Sequence, residues 1–256
     1  MARPDCREAL ELREALGEVG LITEADGSGR CRMGETNVVA AVYGPQQARF
    51  MRQEEHDRAT LDFEVRVCGF SGGEAVAKEK NVVAFLGPVL SGAVCLTMFP
   101  RQVIRVTVTV INDDGAAISC ALHACVLAFV DAGIDMLALP SSVTMCGYGL
   151  STRDEAAIVS GTTDDSHLNV NHNMLHGSDE LELVYCIDPV AAEEDKAVFT
   201  MVVAFGDITS ADPDVVSSYF VTGEGVPLNV VRGAIKQAAV ANASVAAVLR
   251  ALAIPQ

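Results

Sequence analysis

The sequence predicts an α/β (α+β) domain in which mixed β-sheets pack against α-helices, and three observations support this prediction. Every residue from 106 to 111 is Val, Thr or Ile, and β-branched side chains favour a strand. Residues 116–131 are apolar on nearly every side, which is typical of a helix covered on two faces. Further strand and helix patterns lie before and after this unit, so sheets and helices are expected to share one core.

The central helix carries a stripe of small residues, which would let another backbone approach closely. A polar turn precedes it, and either Asp113 or Asp114 could accept hydrogen bonds from its first free amides. Gly133 is expected to end the helix. A Gly-containing turn before a helix N-terminus presents free amides and a positive dipole end, which together form an anion site. The stripe consists of Ala117, Ala121, Ala124 and Ala128.

The segments before this unit predict an arm, several strands and a helix. Residues 1–18 are rich in Glu and Arg and indicate a solvated helix or a flexible arm. Asp26-Gly27-Ser28-Gly29 is expected to be a hairpin turn, and Gly44-Pro45 is expected to end a strand. A helix is predicted over 74–98, with a break at Gly87-Pro88. The predicted strands are 19–25, 30–35, 37–43 and 60–68.

The segments after the central helix complete a single domain spanning 19–252. Residues 137–146 are expected to return to the same sheet as a βαβ-like unit. The polar stretch 151–180 indicates a disordered surface insertion, and its three histidines make a metal site the alternative. Two further strands and a final helix are predicted at 181–187, 197–205 and 227–252.

Composition limits the function. The formal net charge of −16 over 256 residues argues against stand-alone nucleic-acid binding through a basic surface. An acidic protein, or a subunit whose basic neighbours contact nucleic acid, remains open. No apolar run is long enough to span a membrane, and the charged N-terminal stretch does not resemble a signal peptide. The eight cysteines contain no C-x-x-C pair and are expected to be reduced core thiols.

Two stretches resemble the RNase PH family. Residues 26–45 fit the ordered string D-G-S-x(6)-[EQ/D]-T-x-V-x-A-x-V-Y-G-P of the opening hairpin in exosome ring subunits of this type. Residues 106–136 resemble the family's strand–turn–helix, where phosphorolytic members carry a Gly-Ser/Thr-Arg triplet that holds the attacking phosphate. The triplet here is Gly115-Ala116-Ala117, so both the hydroxyl and the guanidinium are missing. The resemblance therefore implies a lost phosphate site.

The resemblance also points to other site residues. Arg49 and Arg52 lie in a loop that faces a ring channel in the family, and they would touch RNA phosphates; a solvated loop is the alternative. Active members carry two aspartates six residues apart. Asp188 matches the first, and Glu194 takes the second position, with Asp195 next to it. We expect this pair to be vestigial, with hydrolysis through a bound divalent ion as the alternative.

The resemblance implies a fold and a function. The fold would be the RNase PH fold, of the ribosomal protein S5 domain 2-like group. The chain would be a non-catalytic subunit in a six-member ring of RNase PH-like exosome subunits, capped by S1/KH proteins, with RNA passing through the central channel. It would need no cofactor and no membrane, and would act in the nucleus, nucleolus and cytoplasm. The alternatives are an active phosphorolytic or metal-dependent nuclease, and a homodimeric nucleic-acid-binding protein outside any ring.

Overall fold

Two β-sheets enclose one helix in the computed structural model, which describes residues 3, 5–48, 54–149, 183–207, 214–223, 226 and 228–253. The strands are β1 (Ala15–Val19), β2 (Gly27–Met33), β3 (Thr36–Gln47), β4 (Thr60–Val67), β5 (Gln102–Asn112), β6 (Ser141–Gly149), β7 (Leu183–Ile187), β8 (Phe199–Phe205) and β9 (Val215–Thr222). The helices are α1 (Gly73–Ala93), α2 (Ala117–Asp131), the single turn α3 (Ala191–Glu194) and α4 (Leu228–Ala253), with a 3-10 turn at Leu96–Met98.

The first sheet has the order β1-β2-β3-β5-β4, and the second has the order β7-β6-β8-β9. Among the strands that the structure describes, β4 and β5 alone pair in parallel, through the crossover helix α1, and the other pairs are antiparallel. Helix α4 packs on the second sheet. Within the described residues, no helix is long and apolar enough to cross a membrane. The predicted α/β class with mixed sheets is confirmed.

Helix α2 lies between the two sheets and forms the centre of the core. It packs against β2 and β3 on one side and against β6 on the other. Every residue from Ile118 to Phe129 is buried. The predicted helix with two covered faces is therefore confirmed. Gly133, just past its end, has a φ of 65°, as expected for a glycine that ends a helix.

The alanine stripe of α2 contacts the backbone of β2. A Cβ on Gly27 would lie 2.4 Å from the carbonyl oxygen of Ala128, and a Cβ on Gly29 would lie 2.5 Å from that of Ala124. Real side chains do not approach so closely, so this packing requires glycine at both positions of β2. Strand β2 begins at Gly27, so the hairpin turn predicted over Asp26-Gly27-Ser28-Gly29 is wrong.

The N-terminal segment differs from the prediction. Strand β1 covers Ala15–Val19 rather than 19–25, and it pairs antiparallel with β2, with Ala15 opposite Met33. Residues 1–18 are therefore not a free arm, because part of this segment joins the first sheet. The physical reason is a tertiary contact that no local pattern shows. The side chains of Arg3 and Arg13 are buried, and they fix the segment before β1.

The predicted break in helix α1 and the predicted end of strand β3 at Gly44-Pro45 are both absent. Helix α1 continues through Pro88 to Ala93, because Phe85, Leu86, Val89 and Leu90 are buried on both sides of the proline and hold the helix in place. Strand β3 continues through the cis Gly44-Pro45 bond to Gln47, with an irregular register against β5. In α1, packing against the core outweighs the local signal of proline, whereas β3 continues because Gln46 and Gln47 pair with β5 beyond Pro45.

Strand β6 belongs to the second sheet, so the predicted βαβ-like return to one sheet is wrong. The unit β5–α2–β6 instead connects the two sheets across the core. Its helix has two apolar faces, and each face covers a different sheet. The insertion predicted at 151–180 lies outside the described residues.

We expect Gly29→Ala to lower the free energy of unfolding by about 2–3 kcal/mol, because the added methyl group would overlap the α2 backbone. The matched control is Gly87→Ala, since a Cβ at this helical glycine meets no atom within 4 Å. It should raise stability by up to about 1 kcal/mol through better helix propensity. Urea unfolding of the three proteins measures both effects. Equal stability of the two variants would refute the close approach of β2 and α2.

Candidate functional site

Strand β5 meets helix α2 at a tight turn made of Gly115, Ala116 and Ala117, which we call the β5–α2 corner. Gly115 and Ala116 both have positive φ, at 83° and 54°. A Cβ on Gly115 would lie 2.4 Å from the carbonyl oxygen of Pro189, so only glycine fits there. The N–H of Ala116 donates a hydrogen bond to Glu194 Oε1 at 2.8 Å. A carboxylate of the protein itself therefore occupies the anion position at this helix N-terminus.

The predicted caps Asp113 and Asp114 do not contact the helix amides. Asp113 accepts a hydrogen bond from the N–H of Gly115 at 3.2 Å and pairs with Lys78 Nζ at 2.7 Å. Asp114 lies 3.7 Å from the guanidinium of Arg13. The two positive φ angles turn the chain, so these carboxylates lie over the turn and not at the end of the helix. The cap instead comes from Glu194, which is distant in sequence.

Asp188 is held in a buried ion pair with Arg13. Its side chain is 1% exposed, and Arg13 reaches both carboxylate oxygens, with Nη2 at 2.7 Å from Oδ1 and Nε at 3.0 Å from Oδ2. The backbone N–H of Arg13 also donates to Oδ2 at 2.8 Å. Because Arg13 engages both oxygens, Asp188 acts as a structural anchor in this arrangement.

Arg13 also connects Asp188 to the corner. Its guanidinium donates to the carbonyl oxygens of Asp114 at 2.9 Å and Gly115 at 3.1 Å. A second buried pair lies nearby, where Arg3 donates to both carboxylate oxygens of Glu193 at 3.0 Å. Sequence reasoning missed both arginines, because they lie among glutamates in a stretch that looked solvated. The sequence shows only that both arginines precede the first strand, and the position of that strand was predicted incorrectly.

Of the three candidate catalytic acids, Asp188, Glu194 and Asp195, Glu194 is the one whose carboxylate accepts a hydrogen bond from the corner. Burial raises the pKa of its carboxyl to about 7; nearby Asp113 acts in the same direction, and the N–H of Ala116 and the charges of Lys78 and Arg13 oppose it. Asp195, the third candidate, is exposed at the end of α3. The predicted pair is therefore separated into a structural Asp188 and a Glu194 that caps α2.

A pocket of about 60 Å³ opens beside the corner, between α1, α2 and both sheets. Most of its walls are aliphatic side chains. The ammonium group of Lys78 lies at its edge, 3.7 Å from the ring centre of Phe70. The polar residues that line it are Lys78, Asn81, Asp113, Thr144 and Glu194.

The other predicted site residues lie outside the described part of the chain or away from the corner. Arg49 and Arg52, the RNA-binding candidates, lie outside the described residues, as do the three histidines of the insertion. In the part of the chain that is described, no three His, Cys, Asp or Glu side chains are grouped to hold a metal ion. His123 is buried in α2, where Nε2 accepts a hydrogen bond from the N–H of Ser142 at 3.1 Å, as a structural histidine would.

Comparison with known proteins finds a family model that matches part of this chain. Residues 11–135 match the family model described as 3' exoribonuclease family, domain 1. The exosome complex component RRP41 homolog of Arabidopsis thaliana is 31% identical over 156 residues, covering 59% of this chain and 64% of the relative. The exosome complex component rrp46 of Schizosaccharomyces pombe is 28% identical over 141 residues, covering 55% and 61%. The matched region thus spans less than two thirds of each relative.

Solved structures show the same fold over nearly the whole chain. Rice (Oryza sativa) Rrp46 superposes with a TM-score of 0.74 at 21% identity, covering 98% of this chain and all of that one. An Archaeoglobus fulgidus exosome with RNA bound to the active site gives a TM-score of 0.68 at 17% identity, covering 95% and 91%. This likeness shows that the chain shares their fold, as the resemblance predicted.

We expect Asp188→Asn to lower the free energy of unfolding by about 3–5 kcal/mol, because it removes the buried charge that the Arg13 guanidinium contacts through both carboxylate oxygens. The control is Glu64→Gln, which removes the exposed partner of Arg66 and should change stability by less than about 0.5 kcal/mol. Guanidinium unfolding at pH 7 compares the variants. An Asp188→Asn protein as stable as the control would contradict the structural role of this carboxylate.

The stability contributed by Glu194 should fall as pH rises. Because burial raises the pKa of this carboxyl from 4.5 to about 7, the folded chain keeps a proton that the unfolded chain releases in that range. Its contribution is therefore complete below the unfolded pKa and is lost as pH rises through the folded one. Between pH 5 and pH 8, wild type should lose about 1–3 kcal/mol relative to Glu194→Gln in urea unfolding. Parallel pH profiles for the two proteins would be the contrary result.

Proposed function

We propose that this chain, whose residues 11–135 are a domain of the RNase PH (3' exoribonuclease) family, is a non-catalytic subunit of an RNA exosome ring. Its role would be to support 3'-5' RNA processing and degradation by shape and assembly. The observation that carries the proposal is the β5–α2 corner. There the helix amide that would face an external anion donates instead to Glu194 of the same chain.

The chemistry of phosphorolysis explains why this corner matters. The reaction needs inorganic phosphate held and oriented for attack, which requires donors already in place around its oxygens. Ala116 and Ala117 offer no hydroxyl or guanidinium, and each lost donor of this kind costs roughly 3 kcal/mol of transition-state stabilisation. The carboxylates of Glu194 and Asp113 line the same pocket and would repel a phosphate. The corner therefore favours a carboxylate cap over a bound phosphate.

The acid pair offers no substitute activity. A general acid or a metal ligand needs a carboxylate oxygen that is free to contact the substrate or ion. Both oxygens of Asp188 are engaged by Arg13, and the residue is almost completely buried. Glu194 then stands without its partner. This arrangement disfavours the alternative of a metal-dependent nuclease that uses the pair.

The surface supports a role in assembly. Strands β1 and β9 are edges of their sheets, and both carry exposed apolar side chains. Leu16 and Val19 on β1 are 52% and 48% exposed, and Val216 on β9 is 55% exposed. Apolar edges of this kind suit contacts with neighbouring subunits. The net charge of −16 also favours a subunit whose neighbours supply the cationic contacts to RNA.

The proposed partners follow from the family. They are other RNase PH-like subunits in a six-member ring, S1/KH cap subunits, and RNA in the central channel. The proposed sites of action are the nucleus, the nucleolus and the cytoplasm. The curated relatives named above are themselves exosome components, which supports this assignment.

We expect the purified chain to release no nucleoside diphosphate from single-stranded RNA in the presence of phosphate. Ala117→Arg alone should not restore activity, because Ala116 still lacks a hydroxyl and Glu194 still occupies the helix amide. Thin-layer or liquid chromatography of the products measures this, with an active RNase PH as the positive control. Diphosphate release above the no-enzyme blank, by the wild type or by the single variant, would refute the non-catalytic role.

The assembly part of the proposal needs a separate measurement. Affinity purification of the tagged full-length protein from its own cells should recover other RNase PH-like subunits in equal amounts, and native mass spectrometry should give the ring stoichiometry. Recovery of the chain only as a homodimer would contradict ring membership while leaving the catalytic result intact.

A further inference from the structure

Helix α4 is apolar on its outer side as well as on the side that packs on the second sheet. The residues buried on the inner side are Ala234, Ala238, Ala241, Val245 and Leu249. On the outer side, Val240 is 71% exposed, and the exposed Ala243 and Ala247 follow it along the helix. A surface helix normally carries polar residues on its outer side, and a helix that is apolar on both sides is normally covered on both. The outer side of α4 is therefore a candidate interaction surface.

The spacing of the outer residues matches a helix–helix contact. Exposed residues follow one another at alternating steps of four and three positions, and we call these five residues the α4 seam: Lys236, Val240, Ala243, Ala247 and Arg250. This is the repeat of about 3.5 residues along which two α-helices pack side by side. Because the three central side chains are short, the axis of a second helix could approach to about 8 Å.

The charge of α4 is opposite to that of the rest of the chain. The helix holds Arg232, Lys236 and Arg250 and no Asp or Glu, although the whole chain has 34 acidic residues against 18 Lys and Arg. Arg232 and Lys236 are exposed, and neither forms an ion pair with a carboxylate among the described residues. The apolar centre of the seam thus has cations at both ends. A partner with carboxylates at both ends would complement it.

The same charges disfavour a second copy of this chain. An antiparallel copy centred on Val240 and Ala243 would place Arg250 of one copy opposite Gly233 of the other, next to Arg232. Like charges would then meet at both ends of the contact, which opposes pairing. Nucleic acid also fits poorly, because its phosphates would contact the cations and leave the apolar centre uncovered.

We infer that the outer side of α4 binds an amphipathic helix of another protein, whose apolar side chains pack on the seam and whose Asp or Glu residues meet the cations at its ends. This surface lies on α4 and is distinct from the edge strands β1 and β9. The inference goes beyond ring membership and does not depend on it.

The test uses a synthetic helical peptide of about 20 residues, which is long enough to span the seam. The peptide has Leu at the two apolar positions of each heptad and Glu at the positions that flank them, and a matched peptide has Lys in place of Glu. Fluorescence anisotropy with the full-length protein measures both affinities. We expect the Glu peptide to bind at least about tenfold more tightly at low salt, and the difference should shrink as salt is added.

Variants of the protein locate the contact. Val240→Asp should weaken binding of the Glu peptide by at least about tenfold, because it places a carboxylate in the apolar centre. Lys236→Glu should remove most of the preference for the Glu peptide. The matched controls are Val76→Asp on α1 and Arg66→Glu on β4, which change exposed residues elsewhere and should leave both affinities unchanged.

Several results would overturn the inference. These are no binding of the Glu peptide, equal affinity for the two peptides, or undiminished binding by Val240→Asp. Sedimentation of the protein alone tests the second copy: a wild-type dimer that Val240→Asp converts to a monomer would show that the seam pairs with itself. Binding of a single-stranded RNA that is lost in Lys236→Glu would show that the surface serves nucleic acid instead.

Discussion

The buried ion pair between Arg13 and Asp188 is the interaction on which the rest of the site depends. It joins three parts of the chain that are far apart in sequence: the segment before β1, the β5–α2 corner, and the loop after β7. Desolvating two charges is costly, and the cost is offset only because Arg13 donates to both carboxylate oxygens and to neighbouring carbonyls. With that loop held in place, Glu194 a few residues later reaches the N-terminus of α2. The position of the cap is therefore a consequence of the anchor.

The second constraint is the close approach of α2 to the first sheet. The alanine stripe and the glycines of β2 bring the helix backbone against the strand, and this places the corner at a fixed depth between the two sheets. Gly115 packs against the backbone of residues 189–191 in the same way. The corner is thus held by close backbone packing at Gly115 and by hydrogen bonds from the Arg13 guanidinium.

The hydrophobic pattern of the sequence correctly predicted the elements whose burial repeats regularly along the chain. The β-branched run gave β5, the alternation gave β4, and the doubly apolar segment gave α2, because each reflects burial repeated along one element. The failures share a different cause. Packing between distant segments decides whether α1 continues through its proline, where β1 starts and which sheet β6 joins. At the site, the Gly115–Ala117 triplet could be singled out by resemblance, but the pairing of Asp188 with Arg13 and the capping by Glu194 are long-range contacts that no spacing rule contains.

The Glu194 cap occupies the place at the N-terminus of α2 where an anion would otherwise bind. A helix N-terminus presents unsatisfied amides and partial positive charge, and an anion nearby stabilises it. Glu194 accepts a hydrogen bond from the N–H of Ala116 and so satisfies this amide from within the chain. A cation introduced at position 117 would then meet a carboxylate that is already present, and an ion pair inside the chain forms without the entropy cost of capturing phosphate from solution. The Glu194 cap therefore leaves the N–H of Ala116 unavailable to an external anion.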